Sequence, residues 1–399
     1  MKDPRYVNRG FGLKQVVGDR LVLDYRSPLV DRMRAEGWSL PVGDVTFRLA
    51  REFGFCYGVD RAVEYAYETR EKFPDRRIFI TGEIIHNPGV NARLAEMGVR
   101  FLDAPGASRD DLREDDVVLL PAFGVPLADM DELRERRVVL VDTTCGSVLN
   151  VWKNVERFAR EGYTALIHGK YAHEETRATA SRATKYPQGH YLVVRDMDEA
   201  RLVCGYIEGR GEREAFLARF SPAVSPGFDP DRHLDRIGCA NQTTMLSGES
   251  LAIAAEIRAS LARRHGEEEA ARRFVAFDTI CSATQDRQDA LHALLAEGGL
   301  DLMLVIGGYN SSNTGHLVEI AAERIPTFHV QNADGLESAR TIRHRPLHAA
   351  QHGKLEVWTE DWLPDGPVTI GITSGASTPD VEIDRVIRKV AGFRGIDLP

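Results

Sequence analysis

Cysteine is scarce in this sequence: there are five in 399 residues, scattered so widely that no two form a C-x-x-C pair. An odd, sparse set does not build the disulfide framework of a small secreted fold. A reducing compartment is expected, in which a useful cysteine serves as ligand or nucleophile. Long apolar runs are missing as well, since nowhere does the chain approach about 18 uninterrupted apolar residues. Its opening, MKDPRYVNRGFGLKQVVGDRLVLDY, has no apolar core of signal-peptide length. A cytoplasmic protein that neither spans a membrane nor is exported is therefore expected. Basic excess is absent too: 51 Lys and Arg stand against 60 Asp and Glu, a formal net charge of −9. That argues against a general nucleic-acid binder, which would show a basic stripe. No G-x-x-x-x-G-K-[ST] or G-x-G-x-x-G run occurs, so a nucleotide cofactor finds no support.

What is present is an alternation of β-rich apolar runs with segments of helical period, beginning at VTFRLA. That alternation is the pattern of α/β units with parallel sheets. At this length two or three domains are expected. The reading is three similar α/β domains around a shared centre, at 46–146, 147–280 and 281–399. Residues 1–45 form an N-terminal arm packed on the first domain, with one short helix in PLVDRMRAEGW ending in a Gly-Trp turn. The charged, turn-rich stretch 186–236 reads as a loop-bearing insertion.

Three of the cysteines share one setting. Cys56, Cys145 and Cys281 each end or follow an apolar stretch (GFC, VDTTC, FDTIC) and precede a helical pattern. After Cys56, Val59, Ala62, Val63 and Ala66 fall on one helix face. After Cys145, Val148, Val151, Trp152 and Val155 do the same. After Cys281 the apolar side is less regular, with Ala290, Leu291, Leu294 and Leu295. Strand-to-helix turns lie at the carboxyl ends of parallel strands, where ligands bind in open α/β sheets. A lone cysteine is more often simple packing, but three in one context point to a shared metal centre with three thiolates. Zinc with an open fourth position meets that description. So does a [4Fe-4S] cluster with one iron free. Cys204, in ARLVCGYI, reads as packing, and Cys239, before a polar turn, is an alternative fourth ligand.

Polar residues gather at other strand ends. IFITGEIIHNPG ends near His86, and YTALIHGKYAHEET brings His168, Lys170, His173, Glu174 and Glu175. IGCANQTTM offers Asn241, Gln242, Thr243 and Thr244. Ser311, Ser312 and Asn313 precede the helical GHLVEIAAE. Ser374 and Ser377 precede a helix whose face is Ile383, Val386, Ile387 and Val390. Both serine-rich turns stand at N-cap positions, and capping alone explains either one singly. Two such helix starts at strand carboxyl ends also make an anion cradle, with a phosphate or diphosphate ester as the natural ligand.

Taken in order, GFCYGVDRA, EIIHNP, DTTC, HGKYAHEET, ANQTT, NSSN and TSGASTPD resemble the IspH/LytB family from about residue 46 to 390. The YVNRGFG arm and the HGKYAHEET and GFDPD phrasing are most similar to its longer cyanobacterial and plant branch. The resemblance implies a trefoil of three α/β domains around a [4Fe-4S] cluster held by Cys56, Cys145 and Cys281. The activity it implies is reductive dehydroxylation of 4-hydroxy-3-methylbut-2-enyl diphosphate to isopentenyl and dimethylallyl diphosphate, the last step of non-mevalonate isoprenoid synthesis. Carried over by motif, His86, His173, Ser311, Ser312, Asn313 and Ser377 bind this allylic diphosphate substrate. Glu175 delivers a proton and Thr243 is its hydroxyl neighbour. Electrons come from an external donor such as ferredoxin or flavodoxin. One departure stands out: PAFGVP places Phe123 where many short bacterial members have a diphosphate-binding histidine. Two other readings use the same three thiols, an iron-sulfur redox sensor without catalysis and a zinc-dependent hydrolase. The sensor would not need Glu175, Thr243 and a phosphate cradle together, and metal analysis after anaerobic purification separates all three readings.

Overall fold

The computed structural model of the chain describes residues 5–347 and 355–398. The architecture is α/β with mostly parallel sheets. The chain divides into two compact units, Met1–Asn8 with Leu102–Cys281 and Arg9–Phe101 with Ser282–Pro399.

In the first unit an all-parallel sheet runs in the order Phe274–Ala276, Ile237–Asn241, Thr164–His168, Tyr191–Val194. The two central strands are buried along their whole length, as parallel strands are when helices cover both faces. Phe158 from the helix Gly146–Arg160, Val203 from Met197–Ile207 and Ile257 from Ser247–His265 join Ile167, Val193 and Ile237 in one core. A Cβ added at Gly238 would lie 2.5 Å from the Phe158 ring, so the helix approaches the sheet this closely because that position is glycine. A second parallel ladder joins Val117–Leu120, Val139–Asp142 and the short strand Tyr6–Val7.

The stretch 186–236 differs from the loop-bearing insertion expected. It supplies the edge strand Tyr191–Val194 and the helices Met197–Ile207 and Arg213–Phe220. Its charge hides a helical period: Ala200, Val203, Cys204 and Ile207 stand at offsets 0, 3, 4 and 7 and are all buried. Asp196 caps this helix, its carboxylate accepting the Glu199 N–H at 2.9 Å.

In the second unit a five-stranded sheet has the order Thr327–Val330, Leu302–Ile306, Val368–Ser374, Val45–Leu49, Ser39–Val42, with only the last pair antiparallel. VTFRL, the strand ahead of Cys56, therefore lies beside VTIGITS, more than 300 residues later. The helix expected in PLVDRMRAEGW forms as Pro28–Ala35, capped by Ser27 with Pro28 at its first position. It is tied to the C-terminal helix Asp380–Phe393: Arg34 makes a two-point contact with Asp380 at 2.8 and 3.0 Å, and Ser27 Oγ donates to Asp384 at 2.8 Å.

The helices that follow the cysteines are Tyr57–Lys72, Gly146–Arg160 and Ser282–Glu297. Val59, Ala62, Val63 and Ala66 are all buried, as are Val148, Val151, Trp152 and Val155. The Cys281 helix differs from its expectation. Its buried side is Thr284, Arg287, Gln288, Leu291 and Leu294, polar in its first two turns. A hydrophobic pattern cannot register a buried stripe made of polar residues.

The Gly238 contact carries a direct consequence for stability. Gly238→Ala should destabilise the chain by about 1–3 kcal/mol through overpacking, measured by urea unfolding. Adding Phe158→Leu should recover part of that loss, whereas unchanged stability in Gly238→Ala would mean the helix shifts freely away from the sheet.

Candidate active site

Cys56 and Cys145 occupy the N-cap positions of their helices, and Cys281 immediately precedes its own. A sulfur thus stands where Ser, Thr, Asp or Asn usually caps a helix. Each of the three is partly exposed, whereas Cys204 and Cys239 are buried. The two groups are chemically distinct. An apolar core favours the protonated thiol. Burial pushes the Cys204 thiol up to about 11 and the Cys239 thiol higher still. Cys239, the alternative fourth ligand, belongs to the central strand Ile237–Asn241 and packs in its core.

In the first unit, Glu175 is not the exposed loop carboxylate that its charged neighbourhood suggests. It lies in the first turn of the helix Glu174–Ala183 and is 2 % exposed, while Glu174 beside it is exposed. Its two oxygens grip one residue: Oε1 accepts the Thr243 N–H at 2.6 Å and Oε2 accepts the Thr243 hydroxyl at 3.0 Å. The Thr243 carbonyl in turn accepts the Cys281 N–H at 3.1 Å. Carboxylate, hydroxyl and cysteine turn are therefore linked in series. His173 caps the same helix, its Nδ1 accepting the Glu175 N–H at 3.1 Å. A neutral His173 ring consequently carries its proton on Nε2. Phe123 packs edge-on against His173, with ring centroids 5.8 Å apart. Gln242 steadies the approach to this group, its Oε1 accepting the Lys170 N–H at 3.1 Å and the Thr176 hydroxyl at 3.0 Å.

In the second unit, Cys56 N–H donates to the Ala376 carbonyl at 3.1 Å, and Gly54 N–H donates to Ser374 Oγ at 3.0 Å. The Cys56 turn is thus pinned to the turn that carries Ser377. Asn313 Oδ1 accepts the Ala376 N–H at 2.9 Å from the other side. Ser311 caps the helix Ser312–Ala322 through the Thr314 N–H. Ser377, expected as a cap, is none: Pro379 stands at the N-cap of the C-terminal helix, and the Ser377 hydroxyl donates to the His86 carbonyl at 3.2 Å. His86 Nδ1 meets Glu83 Oε2 at 2.8 Å, which holds the proton on that nitrogen. The chain passes so close here that a Cβ on Gly308 would lie 2.3 Å from the His86 carbonyl oxygen. His86, Ser311, Ser312, Asn313 and Ser377 are all buried.

Two of the polar residues singled out in the sequence serve the frame. His168 Nδ1 pairs with Ser250 Oγ at 2.8 Å, and the Asn241 N–H donates to Thr279 Oγ1 at 2.7 Å. Two that sequence reading missed support the cysteine turns. Arg287 donates to the Gly54 carbonyl at 2.7 Å, ahead of Cys56. Asp142 accepts the Thr144 N–H at 2.9 Å, ahead of Cys145. The latter had a local signal, since an Asp that binds the backbone two residues on is the mark of an Asx turn.

The family described as LytB protein matches residues 47–391. A protein of Gloeobacter violaceus named 4-hydroxy-3-methylbut-2-enyl diphosphate reductase is 50 % identical over 99 % of this chain and 94 % of its own length. One of the same name from Thermosynechococcus vestitus is 50 % identical over 98 % of this chain and 95 % of its own. A solved structure of (E)-4-hydroxy-3-methyl-but-2-enyl diphosphate reductase, described as the terminal enzyme of the non-mevalonate pathway, aligns with a TM-score of 0.52 at 26 % identity. The match spans 87 % of this chain and 99 % of that one. The reductase structure from Plasmodium falciparum, at 22 % identity and a TM-score of 0.62 over 86 % of each chain, shares the fold. With the family match spanning most of the chain and half of all residues identical across almost its full length, the chain belongs to the LytB protein family.

Proposed function

We propose that the chain catalyses the reductive dehydroxylation of 4-hydroxy-3-methylbut-2-enyl diphosphate to isopentenyl and dimethylallyl diphosphate, the last step of non-mevalonate isoprenoid synthesis. The reaction takes up two electrons and two protons and releases water. The observation that carries this reading is the buried Glu175 carboxylate, locked to both polar groups of Thr243 one hydrogen bond away from the Cys281 turn. Such a group is placed to serve chemistry and not to solvate a surface.

Cys56, Cys145 and Cys281 suit an iron-sulfur group as three accessible thiols at helix starts. In this reading they hold a [4Fe-4S] cluster, while Cys204 and Cys239 remain packing residues. When bound, that cluster supplies single electrons and an open iron acting as a Lewis acid. The chain's own residues do the remainder. Ser311, Ser312, Asn313 and Ser377 receive the diphosphate at the starts of two helices, where orphan N–H groups and the dipole favour an anion. In this reading His86 and His173 also contact the substrate, His173 through Nε2, since its Nδ1 accepts the Glu175 N–H. Phe123 fills the space beside His173 where a histidine would otherwise stand. Glu175 gives a proton to the departing hydroxyl oxygen, and Thr243 keeps the carboxyl in place.

Of the three α/β segments, 46–146 carries the Cys56 and Cys145 turns, 281–399 opens on Cys281, and 147–280 brings Glu175 and Thr243; the two electrons arrive from an external carrier such as ferredoxin or flavodoxin. No helix among the described residues is long and apolar enough to cross a membrane, and a cytoplasmic site of action follows from the reading.

Removing any one of the three ligands should abolish bound iron and sulfide. Cys56→Ala, Cys145→Ala and Cys281→Ala are expected to lose both after anaerobic purification, while Cys204→Ala and Cys239→Ala keep them. Full iron content in Cys145→Ala would overturn the ligand assignment. General acid catalysis is typically worth about 10² to 10⁴ in rate. Turnover of Glu175→Gln with an artificial reductant should fall by that order while iron content holds, and Glu174→Gln should stay within a few-fold of the unmodified chain. Near-normal turnover in Glu175→Gln would move proton delivery elsewhere. The substrate's free alcohol, lacking the diphosphate, should bind far more weakly than the ester, and equal affinity would refute the anion cradle. Phe123→His should be tolerated in the same assay.

A further inference from the structure

The segment ahead of Arg9 takes no part in the chemistry above, yet its main chain reaches the Cys145 turn. Tyr6–Val7 adds an edge strand beside Val139–Asp142, with Tyr6 opposite Leu140 and Val7 opposite Val141. The Leu140 N–H donates to the Arg5 carbonyl at 2.7 Å. Outside the ladder, Arg5 holds Glu114 at 3.0 Å and the Arg137 carbonyl at 3.0 Å. These contacts set the register, and register decides which way a side chain points, because successive side chains alternate between faces. Leu140 and Asp142 share a face, two residues apart. The face that Tyr6 shares with Leu140 is therefore also that of Asp142, and the Tyr6 hydroxyl donates to Asp142 Oδ2. A slip of one residue would turn the phenol away.

Asp142 is 4 % exposed and has a second task. Its Oδ1 accepts both the N–H of Thr144, at 2.9 Å, and the Thr144 hydroxyl. Thr144 is the residue before Cys145, whose own N–H donates to the Ala122 carbonyl at 2.9 Å. Burial together with the neighbouring Asp142 carboxylate pushes the Tyr6 phenol well above its ordinary value, so it remains a donor. A carboxylate with one oxygen committed to Thr144 can still rotate about its terminal torsion, which is broad. A donor on the second oxygen stops that rotation.

We infer that Tyr6 is a positioning residue for the Cys145 turn, fixing the Asp142 carboxylate that holds Thr144 and with it the direction of the Cys145 thiol. Its functional weight rests on the reading of Cys145 as a cluster ligand. The arm thereby acts at a distance from the reaction, on the geometry of one ligand.

The test uses the full-length chain stripped of iron, with iodoacetamide as probe and mass spectrometry reading alkylation at each cysteine. One hydrogen bond is worth about 0.5–1.5 kcal/mol, so Tyr6→Phe should change the Cys145 rate by about two- to tenfold. Cys56 and Cys281 should keep their rates, and the buried Cys204 and Cys239 should stay unreactive. Thr144→Ala should act in the same direction. Because both act through Asp142, the double variant should change the rate by less than the product of the two single effects. An unchanged Cys145 rate in Tyr6→Phe, a multiplicative double variant, or a rise at all five thiols would each overturn the inference, the last because the hydroxyl would then be holding the whole unit. The outcome is independent of iron binding. If Cys145→Ser keeps full iron, the ligand reading fails, while the thiol rates still decide whether Tyr6 sets the turn.

Discussion

The first turn of a helix presents backbone N–H groups that have no partner within the helix, and something outside must accept from them. Much of the chemistry of this chain is organised around that requirement. At Asn87, Asp196 and Ser311 an ordinary oxygen cap meets it. At His173 a ring nitrogen does so, and capping thereby dictates the histidine's tautomer. At Cys56 and Cys145 a sulfur takes the cap position. Partnerless donors of this kind give a helix start a local preference for negative charge. Parallel sheets multiply the effect, because each strand hands over to a helix at the same edge.

Helix starts alone would leave the cysteine turns loose, and each is braced by residues distant in sequence. The Cys281 turn hangs from Thr243, and Thr243 from Glu175. The Cys56 turn is held through Ala376, Ser374 and Arg287. The Cys145 turn rests on Asp142 and, through it, on Tyr6. Reactive groups need this kind of support, since a ligand or proton donor must be held to within a fraction of an ångström by neighbours whose own positions are fixed. Part of the buried polar set is accounted for in this way, since Thr243, Ser374, Arg287 and Asp142 each hold a cysteine turn through a hydrogen bond.

Local order was legible in the residues. The apolar faces after Cys56 and Cys145 are buried as their spacing requires, as are Ile383, Val386, Ile387 and Val390 near the C-terminus. Legibility failed where polarity and burial coincide. The Cys281 helix buries Thr284, Arg287 and Gln288, and the charged stretch 186–236 conceals a regular helix. Hydrophobic periodicity reads exposure through polarity, and these segments break that link because their polar groups are satisfied inside the protein. Ser377 misled for a related reason: its residue type fits a cap, but its hydroxyl has a better partner in the His86 carbonyl.

By itself the sequence determined the α/β class, the strand-to-helix setting of three cysteines and the family, because these depend on spacing within a few turns and on motifs read in order. Only the tertiary structure decided that Val45–Leu49 lies beside Val368–Ser374, that Glu175 is buried against Thr243, and that Tyr6 meets Asp142. Those pairs stand from 68 to more than 300 residues apart. Closing loops of that size costs little more than closing short ones, since the entropy grows only with the logarithm of length. Sequence distance therefore leaves the partners undetermined, and it is sheet register and packing in the folded chain that select them.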